Sequence, residues 1–530
     1  MPNWDSLRLR VSGIYAGSVD RDDLDVLSPV QPHGTTRPSR TTGHLLRTKS
    51  AGLAAAMILT PVLYLIFVIH YSVNVPAQDD WTVVPLIHAA LHGQLTFGAL
   101  WKLHDENRML FPNLAFVVLG VLSHDDLNVL TGVSAAFFVA TFFVFLALFR
   151  SYRGRPLTPL VVLVLGVVWF SLEAWYNALW GFQLAWYLTL FCLMALLYLL
   201  LERTSRLAFA FGLAAAVVGS FSFLWGLVLW PVGALCIAWM LPARPRLWIR
   251  SKRLLLWLGA MVCTTVAALW GYNFQPLGCL VGGKFQFSCS GSTLTFALHH
   301  PAQTAEYVLL ELGNVIPNSN ATIIWLSGVL GAVLFLLAVF VVIESVRNRH
   351  DAHNCLPVAL IVFGLLFDLL TAVARVQFLT GGSTGGANSS TYTMPNLVIL
   401  LALITYAWVR FEPGRIRRPS IRVVVFSTAI AFLVAQFAVS TQVGIVQARA
   451  WGQQQTFKAR LVVNLNEVPA RERLCYDVIG VDVDLLFSAH SVGYVGFTED
   501  REDQLNVFSP GLFQRYRSEG VPDIPQCQTG

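Results

Sequence analysis

Charged residues are scarce in this sequence. Of its 530 residues only 12% are Asp, Glu, Lys or Arg, whereas 55% are hydrophobic. Soluble domains carry about twice that charged share, so the composition excludes an ordinary soluble protein. The net charge of +6 is divided among short basic clusters between apolar stretches, which argues against a nucleic-acid partner. The sequence also lacks a Walker motif, zinc-type Cys/His spacing and a Gly-rich dinucleotide fingerprint.

Long apolar stretches dominate what remains. Each is close to the length of about twenty residues that an α-helix needs to cross a bilayer. The sequence therefore predicts an all-α, polytopic helical membrane protein with eleven spans, at residues 51–75, 127–149, 156–172, 182–201, 207–222, 225–241, 254–273, 321–343, 355–373, 394–410 and 421–443.

One further apolar stretch, 109–123, is interpreted as a helix lying at the outer interface. With that choice the predicted inner loops carry seventeen Lys and Arg residues and the outer loops four, which is a positive-inside distribution. We therefore expect a cytoplasmic N-terminus, an extracytoplasmic C-terminus and no cleaved signal peptide. Three regions follow: a disordered cytoplasmic arm (1–48), a transmembrane domain (49–443) and a small extracytoplasmic region (444–530).

Cysteine is also rare, and its eight residues divide by predicted side. Cys279 and Cys289 fall in one outer loop, and Cys475 and Cys527 fall in the outer tail. An oxidising exterior favours one disulfide in each segment, although four free thiols are the alternative. Four cysteines in spans or at an inner end are expected to be free: Cys192, Cys236, Cys263 and Cys355.

The first outer loop holds two polar groups next to apolar segments. Asp79 and Asp80 follow the first span, where ionisable groups at a membrane surface suggest function; capping of the following helix is the alternative. The run 104–108 adds His104, Glu106 and Arg108, with a solvated surface loop as its alternative interpretation. Asp79, Asp80, His104 and Glu106 could together bind a divalent cation, magnesium or manganese.

Two later outer segments add candidate ligand-binding residues. Between Trp169 and Tyr187, Glu173, Asn177 and Trp180 have the spacing of one helical face, and Gln183 follows. Rings beside carboxylate and amide groups suit a sugar, although an aromatic belt at the membrane interface is the alternative. Arg375 precedes a Gly- and Ser-rich segment that could act as a lid, and its guanidinium could hold a lipid-linked phosphate or snorkel.

Short motifs resemble a known family. QDDW, HDENRMLFPNL, NALWGFQLAW and the segment 375–393 are similar to a group of bacterial membrane proteins with the topology of the GT-C superfamily of polyprenyl-phosphate-dependent glycosyltransferases. The sequence departs from that group where Asp105 and Asn107 replace the commoner Asn and His, and where 389–392 lacks an Arg. The resemblance implies a bacterial cytoplasmic membrane protein with a general base in the first outer loop, either Asp79 or Asp80.

The expected function is transfer of a sugar from a polyprenyl-phosphate donor to an acceptor hydroxyl on the outer face, with inversion, in assembly of cell-envelope glycans or glycolipids. The expected partners are that donor, a glycan or lipid acceptor and the lipid bilayer, without nucleic acid. His104, Glu106, Arg108, Glu173, Asn177, Trp180, Gln183 and Arg375 are the expected substrate-binding residues. A transporter or flippase of lipid-linked sugars is the alternative, and a membrane scaffold is the third class.

Overall fold

The computed structural model describes residues 40–77, 79–104, 106–123, 126–203, 205–240, 247–272, 279–281, 284–286, 292–316, 324–349, 354–379, 386–411, 419–464 and 510–520. It divides the chain into two units, Met1–Ala51 and Gly52–Gly530. Helix residues 40–51 are the described part of the first unit, and the other described elements belong to the second.

The described residues are predominantly helical. In chain order the α-helices are α1 Arg40–Tyr71, α2 Asp80–Leu91, α3 Phe97–Trp101, α4 Leu110–Ser123, α5 Leu127–Arg153, α6 Pro159–Trp169, α7 Trp175–Leu179, α8 Leu184–Glu202, α9 Arg206–Ser220, α10 Leu229–Trp239, α11 Leu247–Leu269, α12 Thr293–His299, α13 Pro301–Leu312, α14 Ile324–Arg347, α15 Cys355–Arg375, α16 Thr393–Arg410, α17 Pro419–Val463 and α18 Pro510–Glu519. Short 3-10 helices occupy Leu172–Ala174, Gly181–Gln183, Leu224–Val228, Val376–Leu379 and Ser390–Tyr392. Two antiparallel strand pairs complete the set, β1 Leu103–His104 with β2 Asn107–Arg108 and β3 Cys279–Val281 with β4 Lys284–Gln286.

Nine segments of the described residues are helical, long and apolar enough to cross a membrane: Ala51–Tyr71, Leu127–Arg153, Pro159–Leu179, Gly181–Glu202, Lys252–Leu269, Ile324–Arg347, Cys355–Leu379, Ser390–Arg410 and Ser427–Arg460. They confirm the predicted all-α, polytopic class. The predicted spans 207–222 and 225–241 coincide with the shorter apolar helical segments Arg206–Ser220 and Leu224–Trp239. The count of eleven therefore stays a prediction.

Local sequence explains how these helices begin and end. Asp126 Oδ1 accepts a hydrogen bond of 2.9 Å from Asn128 N and caps the start of α5. Gly154, at a φ of 67°, follows its last residue in the left-handed conformation that favours glycine. Within a bilayer such helices satisfy their own backbone groups, which is why apolar sequence of this length folds this way.

The loop after α1 contains two short apolar helices that pack on each other. In α4, Gly120 lies against Ile87 of α2, where an added Cβ would meet the Ile87 side chain at 2.4 Å. Helix α4 has 14 residues, a length of about 21 Å, which is shorter than a hydrocarbon core of about 30 Å. This length agrees with the predicted interfacial helix, and the side of the membrane on which it lies stays a prediction.

The segment from Pro159 to Gln183 is less regular than the predicted helical face. Helix α6 ends at Trp169, and a 3-10 turn, the five-residue helix α7 and a second 3-10 turn follow. Glu173 lies in the first 3-10 turn, Asn177 in α7 and Trp180 between α7 and the second 3-10 turn. The three residues therefore do not share one continuous helix, because the chain bends twice between α6 and α8.

Close backbone packing fixes the turn between α9 and α10. A Cβ at Gly226 would meet the carbonyl oxygen of Gly219 at 1.9 Å, so only glycine allows this approach. The Ser220 hydroxyl adds to the contact by accepting a hydrogen bond of 2.9 Å from Trp230 Nε1. This packing holds the short segment that contains Phe223 and Trp225 in place.

The predicted outer tail begins inside a helix. Helix α17 continues through residue 443, where the last predicted span ends, to Val463. Helix α18 contacts the C-terminal part of α17 through two hydrogen bonds. Arg460 donates to the Glu519 carbonyl at 2.7 Å, and Arg517 donates to the Val463 carbonyl at 3.2 Å.

The cysteines can be compared only in part with the predicted pairing. Cys192, Cys236, Cys263 and Cys355 are free thiols, as expected. Cys289, Cys475 and Cys527 and the side chain of Cys279 lie outside the described residues, so both disulfides stay predictions.

Candidate active site

A cavity of about 340 Å³ brings together most of the predicted site. Its walls come from the loop after α1, the segment around Trp180, the turn between α9 and α10, and the region between α15 and α16. They consist of Asp79, His104, Glu106, Asn107, Tyr176, Trp180, Phe182, Gln183, Trp186, Phe223, Trp225, Arg375, Ser389, Thr391 and Tyr392. Of the predicted residues, the cavity lining leaves out Asp80, Arg108, Glu173 and Asn177.

The two adjacent carboxylates have different surroundings. Asp79 Oδ2 lies 3.7 Å from His104 Nε2, and 38% of the Asp79 side chain is exposed. Asp80 is buried at the start of α2, where its Oδ2 accepts a hydrogen bond of 2.9 Å from Ala77 N. Carboxylates are favoured at helix N-termini by the orphan N–H groups and the helix dipole. Both residues lie at the start of α2, but only Asp79, whose side chain makes no capping hydrogen bond, lines the cavity.

The hairpin formed by β1 and β2 presents the second polar motif. His104 pairs with Asn107 across the hairpin, and Glu106 lies in its turn beside Asp105, which is outside the described residues. His104, Glu106 and Asn107 all line the cavity. Asn107 Oδ1 accepts a hydrogen bond of 2.9 Å from Leu224 N and so joins the hairpin to the turn after α9.

Arg108 points away from the cavity and connects the hairpin to α11. Its Nε donates to the Ala268 carbonyl at 3.0 Å, one terminal nitrogen donates to the Trp101 carbonyl at 2.8 Å, and the other donates to the Trp270 carbonyl. The guanidinium also lies 5.1 Å from the centroid of the Trp101 ring, a cation–π contact. These contacts join the hairpin to α3 and α11. The Arg108 side chain does not line the cavity.

Arg375 supplies a positive charge to the cavity wall. It is the last residue of α15, and one of its terminal nitrogens lies 3.1 Å from Glu106 Oε1. The Arg375 side chain is 24% exposed, while that of Glu106 is 8% exposed. The Tyr392 hydroxyl also interacts with the guanidinium. The cation is thereby held at the cavity with a carboxylate and a phenol beside it.

The segment around Trp180 divides its predicted residues between lining and support. Trp180 and Gln183 line the cavity. Asn177 lies behind them, and its Nδ2 donates to the Thr391 carbonyl at 2.9 Å. Glu173 is buried at 4% exposure in the turn capped by Ser171, whose hydroxyl accepts a hydrogen bond of 2.7 Å from Gln436. Asn177 and Glu173 therefore belong to the packing that positions the wall.

Aromatic rings make up much of the wall. Trp180 and Phe182 stack with centroids 5.4 Å apart, and Trp186 and Phe223 lie 4.9 Å apart. The Trp225 ring lies 6.1 Å from that of Phe223. Rings arranged in this way offer apolar faces to a ligand.

Several polar atoms on this aromatic wall have no hydrogen-bond partner among the described residues: Tyr176 OH, Trp180 Nε1, Gln183 Oε1 and Trp225 Nε1. Buried polar groups are almost always paired with protein, water or ligand. Donors and acceptors on an aromatic surface match a ligand that has both apolar faces and hydroxyl groups.

Sequence analysis did not find Phe223, Trp225 and Trp186. Phe223 and Trp225 follow a Gly-Ser pair at 219–220, and two aromatic residues so close to a predicted outer end were an available signal. Trp186 lies in the predicted span 182–201, where aromatic residues are expected at the membrane interface whatever their function.

The predicted metal ligands do not form a metal cluster in the described part of the chain. No group of three or more His, Cys, Asp or Glu side chains there could hold a metal ion. The physical reason is that Asp80 binds Ala77 N outside the cavity and Glu106 pairs with Arg375.

The predicted lid falls partly outside the described residues, at 380–385, whereas Ser389 and Thr391 line the cavity.

Comparisons with known proteins gave no match. No family model matches the sequence, and neither a curated protein nor a solved structure is similar enough to match it.

Proposed function

We propose that the protein is a membrane glycosyltransferase that moves a sugar from a polyprenyl-phosphate donor to an acceptor hydroxyl on the outer face of the cytoplasmic membrane. The observation that carries this proposal is the placement of Asp79 and Arg375 on the walls of one aromatic cavity. Sugar transfer from a phosphate needs a base for the acceptor, a cation for the leaving phosphate and a surface for the sugar ring. The resemblance to the GT-C superfamily in the motifs agrees with the same chemistry.

Asp79 is the proposed general base. Its carboxylate takes the proton of the acceptor hydroxyl while the hydroxyl oxygen forms a bond to the anomeric carbon of the sugar. The bond between that carbon and the phosphate oxygen breaks, and its electron pair leaves with the polyprenyl phosphate. His104 is a positioning residue, because its Nε2 lies 3.7 Å from Asp79 Oδ2 and holds the carboxylate at the cavity. Attack opposite the leaving group gives inversion.

Arg375 is the proposed partner of the leaving phosphate. Its planar guanidinium can donate two parallel hydrogen bonds to phosphate oxygens. Glu106 holds the guanidinium in place through a 3.1 Å contact and balances part of its charge. The phosphate gains negative charge as the bond breaks, so this cation stabilises the transition state more than the ground state.

The aromatic wall is the proposed sugar site. Trp180 and Trp225 combine ring faces with Nε1 donors, and Gln183 adds an amide oxygen. A pyranose ring has apolar faces for stacking and hydroxyls at its rim, so it can satisfy both kinds of group at once. Asn177 and Glu173 act behind this surface and keep its segments in register.

A transporter or flippase of lipid-linked sugars is the second candidate. The observation in its favour is Asp368, which is fully buried within the membrane-span candidate Cys355–Leu379. Ionisable groups inside membrane helices are common in transport pathways. A flippase would move the donor between leaflets without breaking its sugar–phosphate bond, and that difference decides the test.

The test uses the full-length protein in lipid vesicles supplied with a panel of polyprenyl-phosphate sugars. A transferase releases free polyprenyl phosphate and forms a glycosylated acceptor, which mass spectrometry measures. A flippase instead changes the fraction of intact donor that is accessible to an external periodate oxidation. Donor movement without bond cleavage across the panel would overturn the transferase proposal in favour of transport.

A further inference from the structure

Two fully buried carboxyl groups lie in the helix bundle apart from the cavity lining. Glu311 is in the last turn of α13 and Asp368 is in α15, and both are 0% exposed. Helices α13 and α15 pack against each other, and Asp368 acts electrostatically on Glu311. Neither belongs to the cavity of the proposed active site.

The surrounding side chains do not balance this negative charge. The Asp368 carboxyl oxygens lack a hydrogen-bond donor among the described residues, and the donor beside the Glu311 carboxyl is the Thr371 hydroxyl, which a backbone carbonyl also engages. The neighbouring Thr371 hydroxyl donates to the Phe367 carbonyl at 3.1 Å, and Arg375, one turn beyond, pairs with Glu106. Burial and the charge of Asp368 raise the pKa of Glu311 well above its usual range. Two buried carboxylates are costly unless a cation or a proton compensates them.

Amide oxygens extend the set of acceptors around this pair. Asn396 on α16 uses its nitrogen to donate to the Glu311 carbonyl at 2.7 Å, which fixes the amide beside α13. Asn314, just after α13, uses its nitrogen to donate to Thr393 Oγ1 at 3.1 Å. Each amide keeps a buried Oδ1 that has no partner among the described residues. Both side chains are at most 1% exposed.

We propose that Glu311 and Asp368 bind a hard divalent cation, calcium or magnesium, between α13 and α15, with the Asn396 amide oxygen as a further ligand. Two carboxylates match the charge of such an ion. Carboxylate and amide oxygens are the ligands that hard cations prefer, whereas zinc prefers His and Cys. Calcium also accepts the irregular coordination that helix side chains provide.

The ion would brace the helices that carry part of the cavity wall. Helix α15 ends at Arg375, and α16 begins directly after Tyr392. Both residues line the cavity, so an ion that joins α13, α15 and α16 would hold them in place from outside the site. The site is therefore structural, and its test does not require turnover.

The test measures thermal unfolding of purified full-length protein after removal of metals with a chelator. A thiol-reactive dye detects unfolding, because Cys192, Cys236 and Cys355 are buried free thiols. Calcium chloride or magnesium chloride should raise the melting temperature by about 5 °C, while sodium chloride at equal ionic strength should raise it far less. Elemental mass spectrometry should find one equivalent of the same metal in protein that has not been chelated.

Variants locate the ion. Glu311→Gln and Asp368→Asn should each remove the metal-dependent shift, whereas Glu344→Gln should keep it, because Glu344 pairs with Arg410 outside the cluster. If neither metal shifts the wild-type protein and no bound metal is found, the inference is overturned and the two acids are protonated instead. A shift of equal size in Asp368→Asn would overturn it as well, since the ion would then bind elsewhere.

Discussion

His104 Nε2 lies 3.7 Å from Asp79 Oδ2, which joins the tip of the β1–β2 hairpin to the residue that precedes α2. The two residues come from separate motifs in the loop after α1, and the hairpin is what brings them together. Asp79 therefore has a partner on the cavity wall, whereas its neighbour Asp80 binds the backbone at Ala77. This difference assigns the proposed base to Asp79.

Replacing Arg375 with lysine tests the proposed phosphate site. Lysine keeps the positive charge but loses the planar fork, so Arg375→Lys should lower kcat/KM for the donor by about 100-fold. Arg410→Lys is the matched control, because Arg410 is 57% exposed and lies 3.4 Å from Glu344. Steady-state kinetics with varied donor concentration measures both variants. Equal kcat/KM in the two variants would remove Arg375 from the phosphate site.

The Trp225 indole tests the proposed sugar site. Trp225→Phe keeps an aromatic ring but removes Nε1, so the donor KM should rise by about 10-fold while the melting temperature stays nearly unchanged. Trp230→Phe is the comparison, since Trp230 Nε1 donates to Ser220 Oγ at 2.9 Å in the buried core. That variant should lose stability and keep its KM. An unchanged KM for Trp225→Phe would contradict the sugar site.

Arg108 should matter for stability more than for chemistry. Arg108→Leu removes the hydrogen bonds to the carbonyls of Trp101, Ala268 and Trp270. The loss should be about 2 to 4 kcal/mol of unfolding free energy, measured by thermal or denaturant unfolding. Lys102→Ala, at a nearby exposed position, should change stability by less than about 0.5 kcal/mol. A stable Arg108→Leu protein with a raised donor KM would instead support the original prediction of a substrate-binding residue.

Membrane sidedness is a separate prediction. Positions 124 and 155 flank α5 in the sequence, and with α4 at the interface single cysteines introduced there should be labelled from outside and inside, respectively. A membrane-impermeant thiol reagent on intact cells, followed by labelling after permeabilisation, measures each position. Labelling of position 155 from outside would reverse the predicted orientation of the later loops.

The helical class and the position of each apolar segment were readable from the sequence, because apolar length alone determines which segments can cross a bilayer. The boundaries of α17 were not, since its polar second half carries no apolar signal yet continues as a helix to Val463. The prediction that Glu173, Asn177 and Trp180 share one helical face was also wrong. Spacing cannot show that the chain passes through two 3-10 turns.

Within the site, sequence analysis identified the charged residues that line the cavity. It could not show which neighbouring charged side chains point elsewhere. Arg108 and Asp80 lie next to lining residues in the sequence, and only tertiary contacts show that both bind backbone atoms outside the cavity. Phe223 and Trp225 reach the cavity because Gly226 packs against Gly219. Such an approach depends on two backbones meeting, which one-dimensional periodicity does not encode.

The most direct measurement of the central claim is donor turnover by Asp79→Asn. Asparagine keeps the shape of the side chain but cannot accept the proton, so turnover of a verified donor should fall by a factor of about 100 to 10,000. The melting temperature should stay near that of the wild type. Asp126→Asn, which alters an aspartate that caps α5, should retain near-normal turnover. Near-normal turnover by Asp79→Asn would contradict the assignment of Asp79 as the base.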